Sequence, residues 1–259
     1  MCQPLTNAFP SIEERLKLAS RISLFLDFDG TLSWLAPDPD EARLEERTRE
    51  TLLRIVQHNR IAATVISGRA IEDLYTRIRL EGLTYAGNHG LEIFGPLFCF
   101  VEPSAVTHRE SLGRLAEDLA QELASIRGIL VEFKGYTASI HYRRASEADV
   151  PRVEQVVRSA VEPARAWCRV KPGNKVFDIV PRTSWHKGMA VQLINRSLAA
   201  DGGILSLYFG DDCTDEDAFR LLPDAITVKV GDAVSTSARY QLPDPDAVSG
   251  FLEWLAGTM

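Results

Sequence analysis

Cysteine is scarce and scattered. Cys2, Cys99, Cys168 and Cys213 form no CxxC pair and lie far apart, which sets aside a disulfide framework and a zinc site. No run approaches the ~18 consecutive apolar residues of a membrane span, and the N-terminal MCQPLTNAFP lacks the basic-then-apolar order of a secretion signal. The expectation is a cytoplasmic protein with no membrane partner. Positive charge is also short: 29 Lys and Arg face 36 Asp and Glu, a net charge of −7, which argues against a nucleic-acid partner.

That deficit is uneven. Residues 127–182 carry eleven Lys and Arg against six Asp and Glu, an excess of +5 that leaves −12 on the rest. One segment is suited to meeting an anion and the other to holding a cation. With 45% apolar residues over 259 positions, the chain can bury a full core and a smaller accessory unit.

Ser11 and Glu14 have the spacing of a capping box ahead of Ile12, Leu16 and Ala19, so a first helix is expected there. Ile22 to Leu26 is a short apolar run of the kind that forms a strand buried on both faces, and it stops at Asp27. Helical spacing through Leu52, Ile55 and Val56, a strand Ile61 to Ile66 and a helix around Ile71, Leu74 and Ile78 repeat the alternation. This predicts an α/β fold with a doubly wound, Rossmann-like parallel-sheet core. From about Thr107 the order becomes helix, two strands, helix, two strands, which fits a small antiparallel sheet inserted as a cap. After Pro181 the α/β alternation resumes with a helix from about His186 to Leu198 and strands Ile204 to Phe209 and Ile226 to Val230. The expected division is a core of 1–104 and 181–259 interrupted by an αββαββ insertion at 105–180.

The charged residues that end these strands carry the chemistry. Asp27 and Asp29 can share one side of an extended segment while Phe28 turns away; two carboxylates that close repel, and want either a metal or a division into nucleophile and acid. Gly210-Asp211-Asp212 follows another apolar strand, and ligands of open α/β sheets bind outside the carboxyl ends of strands. These oxygens suit Mg²⁺. Glu216 and Asp217 are explained by the start of the next helix, Asp211 is not, and Asp212 and Asp215 fall between. Ser67, before Gly68, is either a helix cap or an anion ligand. Lys187 opens a helix, where a cation needs a compensating partner such as a carboxylate and a phosphate.

LDFDGTL (26–32), VISGR (65–69), Lys187-Gly188 and GDDCTDEDAF (210–219) together resemble the four motifs of haloacid-dehalogenase-type phosphatases. The insertion resembles their C2B cap, and YAGNHGLEI (85–93), HYR (141–143) and KVFDIVP (175–181) resemble the trehalose-6-phosphate phosphatases among them. The resemblance implies an Mg²⁺-dependent phosphoric monoester hydrolase that cleaves trehalose 6-phosphate to trehalose and phosphate through an aspartyl-phosphate intermediate, with functional coupling to a sugar-phosphate synthase. It implies Asp27 as nucleophile and metal ligand, Asp29 as acid and base and as a metal ligand through its carbonyl, Asp211 as the third ligand, and Ser67 and Lys187 on the phosphoryl group. Asp212 and Asp215 would support the metal from behind. Arg69, Asn88, His89, Arg143, Lys175 and Asp178 are the candidates for substrate contact; Asp178 stands where the family's Lys-x-x-Glu has its longer acid. Another phosphorylated disaccharide or a glycosyl-phosphoglycerate is the alternative substrate, and a catalytically inactive sugar-phosphate sensor or synthase partner is the alternative class.

Overall fold

The computed structural model describes residues 2–36, 38–173, 175–198, 203–232 and 235–259. The chain opens with β1 (Gln3–Pro4), α1 (Phe9–Leu18), β2 (Arg21–Leu26), α2 (Glu46–Val56), β3 (Ile61–Ile66), α3 (Ile71–Ile78), β4 (Thr84–Gly87), β5 (Glu92–Phe94) and β6 (Cys99–Val101). It continues through α4 (Pro103–Leu123), β7 (Leu130–Phe133), β8 (Ala138–His141), α5 (Val150–Val161), β9 (Cys168–Gly173) and β10 (Val176–Pro181). It closes with α6 (Lys187–Leu198), β11 (Ile204–Gly210), α7 (Glu216–Leu221), β12 (Ile226–Val230), β13 (Tyr240–Leu242) and α8 (Pro245–Thr258). Two compact units result, one of Met1–Phe100 with Trp185–Met259 and one of Val101–Ser184.

The first unit is built on a sheet of order β1-β13-β12-β11-β2-β3-β4-β5-β6. From β1 to β4 every pairing is parallel, and β5 then runs antiparallel to β4. The apolar run of β2 is covered on both faces as its composition requires: Leu24 and Leu26 pack with Leu207, Val228 and Phe251, while Phe25 packs on the opposite face with Tyr208, Ala190 and Phe219. The chain leaves β2 toward β3 on one side and returns as β11 on the other, so the carboxyl ends of β2 and β11 flank the point where strand order reverses, the place where such sheets bind ligands.

In the second unit β7-β8-β10-β9 form an antiparallel sheet. Alternation along β8 and β10 turns Ile140, Phe177 and Ile179 onto Leu112 and Leu119 of α4 and Val153 and Val157 of α5. The opposite face carries the cross-strand row Glu132, Ser139, Asp178 and Lys171.

Some local expectations change. The capping box at Ser11 is not formed: α1 starts at Phe9 with Pro10 in its first turn, and the Ser11 hydroxyl donates instead to the carbonyl of Ala8. A proline favours the first turn because it lacks the N–H that would go unmatched there. Likewise α4 begins before Thr107, because Glu102 accepts from the Ala105 N–H and Pro103 follows at once. Among the described residues no helix is long and apolar enough to cross a membrane.

Candidate active site

The motif after β2 is seated by backbone bonding. The Asp27 N–H donates to the Phe209 carbonyl at 2.9 Å, carrying the β2–β11 ladder one residue beyond the strand. Phe28 is fully buried in the core, and its carbonyl accepts from Leu32 and Ser33, so the chain folds back over a fixed anchor. Gly30 is required twice over: it has φ +80°, and a Cβ there would lie 2.1 Å from Asp211 Oδ2. Gly210 plays the matching part on β11, where a Cβ would fall 2.3 Å from Asp215 Cγ.

These close approaches gather Asp27, Asp211 and Asp215, each offering an oxygen within 4.8 Å of the others. Lys187 Nζ donates to Asp27 and to Asp215, both at 2.7 Å. Lys187 is 2% exposed, Asp27 4% and Asp215 0%. Here is the compensating partner that a cation at a helix start needs, and it consists of two carboxylates. Three carboxylates and one ammonium nonetheless leave an excess of negative charge away from water. Burial pushes Asp27 well above the usual carboxylate range, with Lys187 opposing and Asp215 and Asp211 adding to the rise. Burial, reinforced by Asp215, pushes Asp211 up to about 6. For Lys187 burial works against the charged form, but Asp215 and Asp27 outweigh it and hold its value above the ordinary one.

A hard divalent cation fits this site. It would cancel the surplus charge, and Asp211 Oδ1 is buried with no hydrogen-bond partner among the described residues. Asp27 and Asp211 are the side chains that could hold such a cation. Asp215 already accepts from Lys187, from the Tyr208 hydroxyl at 2.7 Å and from the Asp212 N–H at 3.0 Å, which makes it the brace of the lysine. Asp212 is exposed and lies outside the carboxylate cluster, its own oxygen accepting from the Cys213 N–H.

Asp29 does not join the cluster. Both of its oxygens accept from Arg69, through Nε and Nη2, each at 2.7 Å. The mutual repulsion expected of Asp27 and Asp29 is thus resolved by giving each its own cation, Lys187 for one and Arg69 for the other. Any part for Asp29 in metal binding falls to its main-chain carbonyl. Arg69, a sequence candidate for substrate contact, supports Asp29: its Nη1 donates to Asp73, and its Cζ lies 5.6 Å from the centre of the Phe28 ring.

Ser67 is 2% exposed, and its hydroxyl accepts from the Arg69 N–H. It does not cap α3, whose cap residue is Ala70. The loop it opens is braced by the turn Asn88-His89-Gly90, three residues in a row with φ of 50°, 59° and 87°. The Asn88 N–H donates to the Arg69 carbonyl and the His89 N–H to the Ser67 carbonyl. Gly68 leaves room for the His89 imidazole, which a Cβ would meet at 2.7 Å. Asn88, a sequence candidate for substrate contact, is fully buried and donates its amide to Glu92, whose Oε1 also accepts from the first N–H of α3. Such backbone strain persists only where the surroundings over-determine it, and here it fixes the Ser67–Arg69 loop.

In the second unit Arg143 and Lys175 are exposed, and Lys175 has φ 61° just before β10. Asp178 faces the polar side of the sheet, pairs in register with Ser139 and Lys171, and accepts from the Ser139 hydroxyl at 2.5 Å. Sequence reasoning missed Ser139, Tyr208 and Lys229, whose Nζ donates to the Asp211 carbonyl. Tyr208 is hidden in an apolar strand run, and only its phenol oxygen, a group that needs a partner when buried, signals a polar role.

The trehalose-phosphatase family model matches residues 25–246. A probable trehalose-phosphate phosphatase of Oryza sativa subsp. japonica is 34% identical over 95% of this chain and 72% of its own length. The trehalose 6-phosphate phosphatase RA3 of Zea mays is 34% identical over 91% of this chain and 70% of its own. By fold, the C-terminal domain of the C. albicans trehalose-6-phosphate phosphatase superposes with a TM-score of 0.80 at 21% identity over the whole of both chains. The C-terminal domain of the Candida albicans trehalose synthase regulatory protein does so with 0.66 at 11%, over 94% of this chain and 97% of that one. The motif carboxylates, their lysine and the matched span lead to one assignment: the chain belongs to the trehalose-phosphatase family.

Proposed function

We propose that the protein hydrolyses trehalose 6-phosphate to trehalose and inorganic phosphate, in the cytoplasm and with Mg²⁺, through a phosphoryl group carried on Asp27. The observation that carries this reading is the buried contact of Lys187 Nζ with Asp27 and Asp215, at 2.7 Å each, beside an Asp29 held by a separate cation. In the first step an Asp27 oxygen bonds to phosphorus as the bond from phosphorus to the sugar oxygen breaks, and Asp29, protonated at an oxygen lone pair that the Arg69 fork does not use, gives that proton to the sugar oxygen. In the second, Asp29 takes a proton from water, the water oxygen bonds to phosphorus, and the bond to Asp27 breaks. Lys187 counters the charge of the phosphoryl oxygens in both steps, and Ser67 offers them its hydroxyl. Asp27, Asp211 and the carbonyl of Asp29 would hold Mg²⁺, which when bound would supply further neutralisation of the phosphoryl charge.

Recognition of the sugar falls to Lys175, Asp178 and Arg143 of the second unit, in the segment whose excess of +5 suits a phosphorylated ligand. A substrate of this kind requires a prior glycosyl transfer onto a glucose phosphate, which is the basis for coupling to a sugar-phosphate synthase. The regulatory protein's domain has the same fold, so the fold does not separate an enzyme from a sensor. The pairing of a lysine-held nucleophile with an acid does, because a sensor needs no proton donor. The test is phosphate release with Mg²⁺ from trehalose 6-phosphate and a panel of other sugar phosphates. Preference for trehalose 6-phosphate is expected; activity on another ester alone would replace the substrate, and no activity on any would favour the sensor.

A further inference from the structure

The guanidinium that holds Asp29 is itself held. Arg69 Nη1 donates to Asp73 Oδ2 at 2.7 Å, and both oxygens of Asp73 lie 2.9 Å from Arg77 Nε. Arg77 Nη1 then donates to the carbonyls of Ala42 at 2.7 Å and Asp40 at 3.1 Å. Residues 69, 73 and 77 are four apart at and along α3, so their charges stack as plus, minus, plus. The two arginine side chains are only 11% and 12% exposed. Burial opposes the charged form of Asp73, yet hydrogen bonds from Arg77 and Arg69 outweigh it and hold the carboxyl below its ordinary value.

An ordinary charge pair on a helix face ends in solvent and adds little. This ladder ends at one side on two backbone carbonyls together with the exposed Asp40 carboxylate, and on Asp29 at the other. A guanidinium in a two-bond fork also transmits orientation, since turning its plane turns the carboxylate it grips. We propose that Asp73 and Arg77 are positioning residues for the reaction: acting through Arg69, they set the plane of the Asp29 carboxylate that exchanges the proton with the departing sugar oxygen. The inference rests on the phosphatase reading above, and neither residue touches the reacting atoms.

The test compares the full-length protein with Asp73→Asn on two esters, trehalose 6-phosphate, whose alkoxide must be protonated as it leaves, and p-nitrophenyl phosphate, whose phenolate leaves without help. Misplacing an acid by about an ångström costs up to ~10²-fold, so kcat on the sugar ester should fall ~10- to 100-fold, against less than ~3-fold on the aryl ester, with both KM values within about 2-fold. Asp73→Glu, which keeps the carboxylate, should recover most of the loss. If Asp73→Asn does not fold, Arg77→Gln is read by the same ratio. Equal losses on both esters, or an unchanged rate on the sugar ester, overturn the ladder alone. A wild-type protein inactive on both esters overturns the phosphatase reading and the ladder with it.

Discussion

The two units differ in how their candidate functional groups are held. In the first, Lys187, Asp27 and Asp215 are buried and locked together, Asp29 is gripped by Arg69, and glycines at 30 and 210 exist to let carboxylates approach. In the second, Arg143 and Lys175 are exposed, and Asp178 rests on a single short bond from Ser139 within an open polar row. The difference fits the tasks proposed for the two units. Stabilising charge in a transition state demands dipoles and ions fixed beforehand, and that demand tolerates a site that is costly to the folded protein. Selecting one sugar over another needs a few well-placed hydrogen bonds, which exposed side chains can supply without such cost.

The sharpest way to break this comparison is to remove a carboxylate from the crowded cluster. Asp27→Asn should abolish turnover, and in the absence of Mg²⁺ it should also raise the melting temperature, because burial and two neighbouring carboxylates already disfavour the charged form. A lowered melting temperature in chelator would contradict the surplus of negative charge. Titration sharpens the same point. A carboxyl whose folded value is raised makes the folded state bind more protons than the unfolded one, so its contribution to stability is greatest at low pH and is lost as pH climbs. For Asp211 the loss runs from its ordinary 3.8 to about 6. Measured by denaturant in chelator at both ends of that window, the wild type should lose stability relative to Asp211→Asn, and Mg²⁺ should shrink the difference.

The same contrast governs how much could be read from the sequence. Apolar runs ending in charge placed β2, β3, β11 and β12 and with them Asp27 and Asp211, because a strand buried on both faces has few alternatives. What escaped was partnership. Asp27 and Asp29 look alike in LDFDG, yet one is gripped by Lys187 and the other by Arg69, and the second choice depends on residues 40 positions away brought in by β3. Asn88 and Arg69 are polar side chains beside a motif, and nothing in the sequence shows that the first donates to Glu92 from a run of three left-handed residues or that the second binds two carboxylates. The short strands β4, β5 and β13 offer too few residues for alternation to show.

Tyr208 tests whether fixation extends beyond the motifs. Its hydroxyl donates to the same Asp215 oxygen that accepts from Lys187. Tyr208→Phe keeps the stacking on Phe25 and the edge contact with Phe219 but loosens the lysine. A hydrogen bond to a charged group contributes ~1.5–3 kcal/mol, so if about half of that is felt in the transition state kcat should fall ~3- to 13-fold. Affinity for orthovanadate, which mimics the transferring group, should fall in parallel while KM stays put; a change confined to KM would make Tyr208 a packing residue only.

The smallest effect is expected where the structure is loosest. Asp178 is a methylene shorter than the glutamate that the motif resemblance implies there, and the Ser139 hydroxyl, opposite it in the sheet, fixes one of its oxygens. If that bond sets the direction in which the shorter side chain meets a sugar hydroxyl, Ser139→Ala should raise KM for trehalose 6-phosphate by ~3- to 10-fold, the value of one modest hydrogen bond. The effect should be confined to the sugar ester: kcat has no reason to change, since no group in the Lys187 cluster is touched, and an aryl phosphate carries no sugar for Asp178 to read. Asp178→Glu offers the converse, a longer acid that reaches without the serine's help, so the double variant Ser139→Ala with Asp178→Glu should bind better than Ser139→Ala alone. A double variant no better than the single one would mean that the serine bond does not direct Asp178 toward a ligand, and that this row of the sheet is polar only because it faces water.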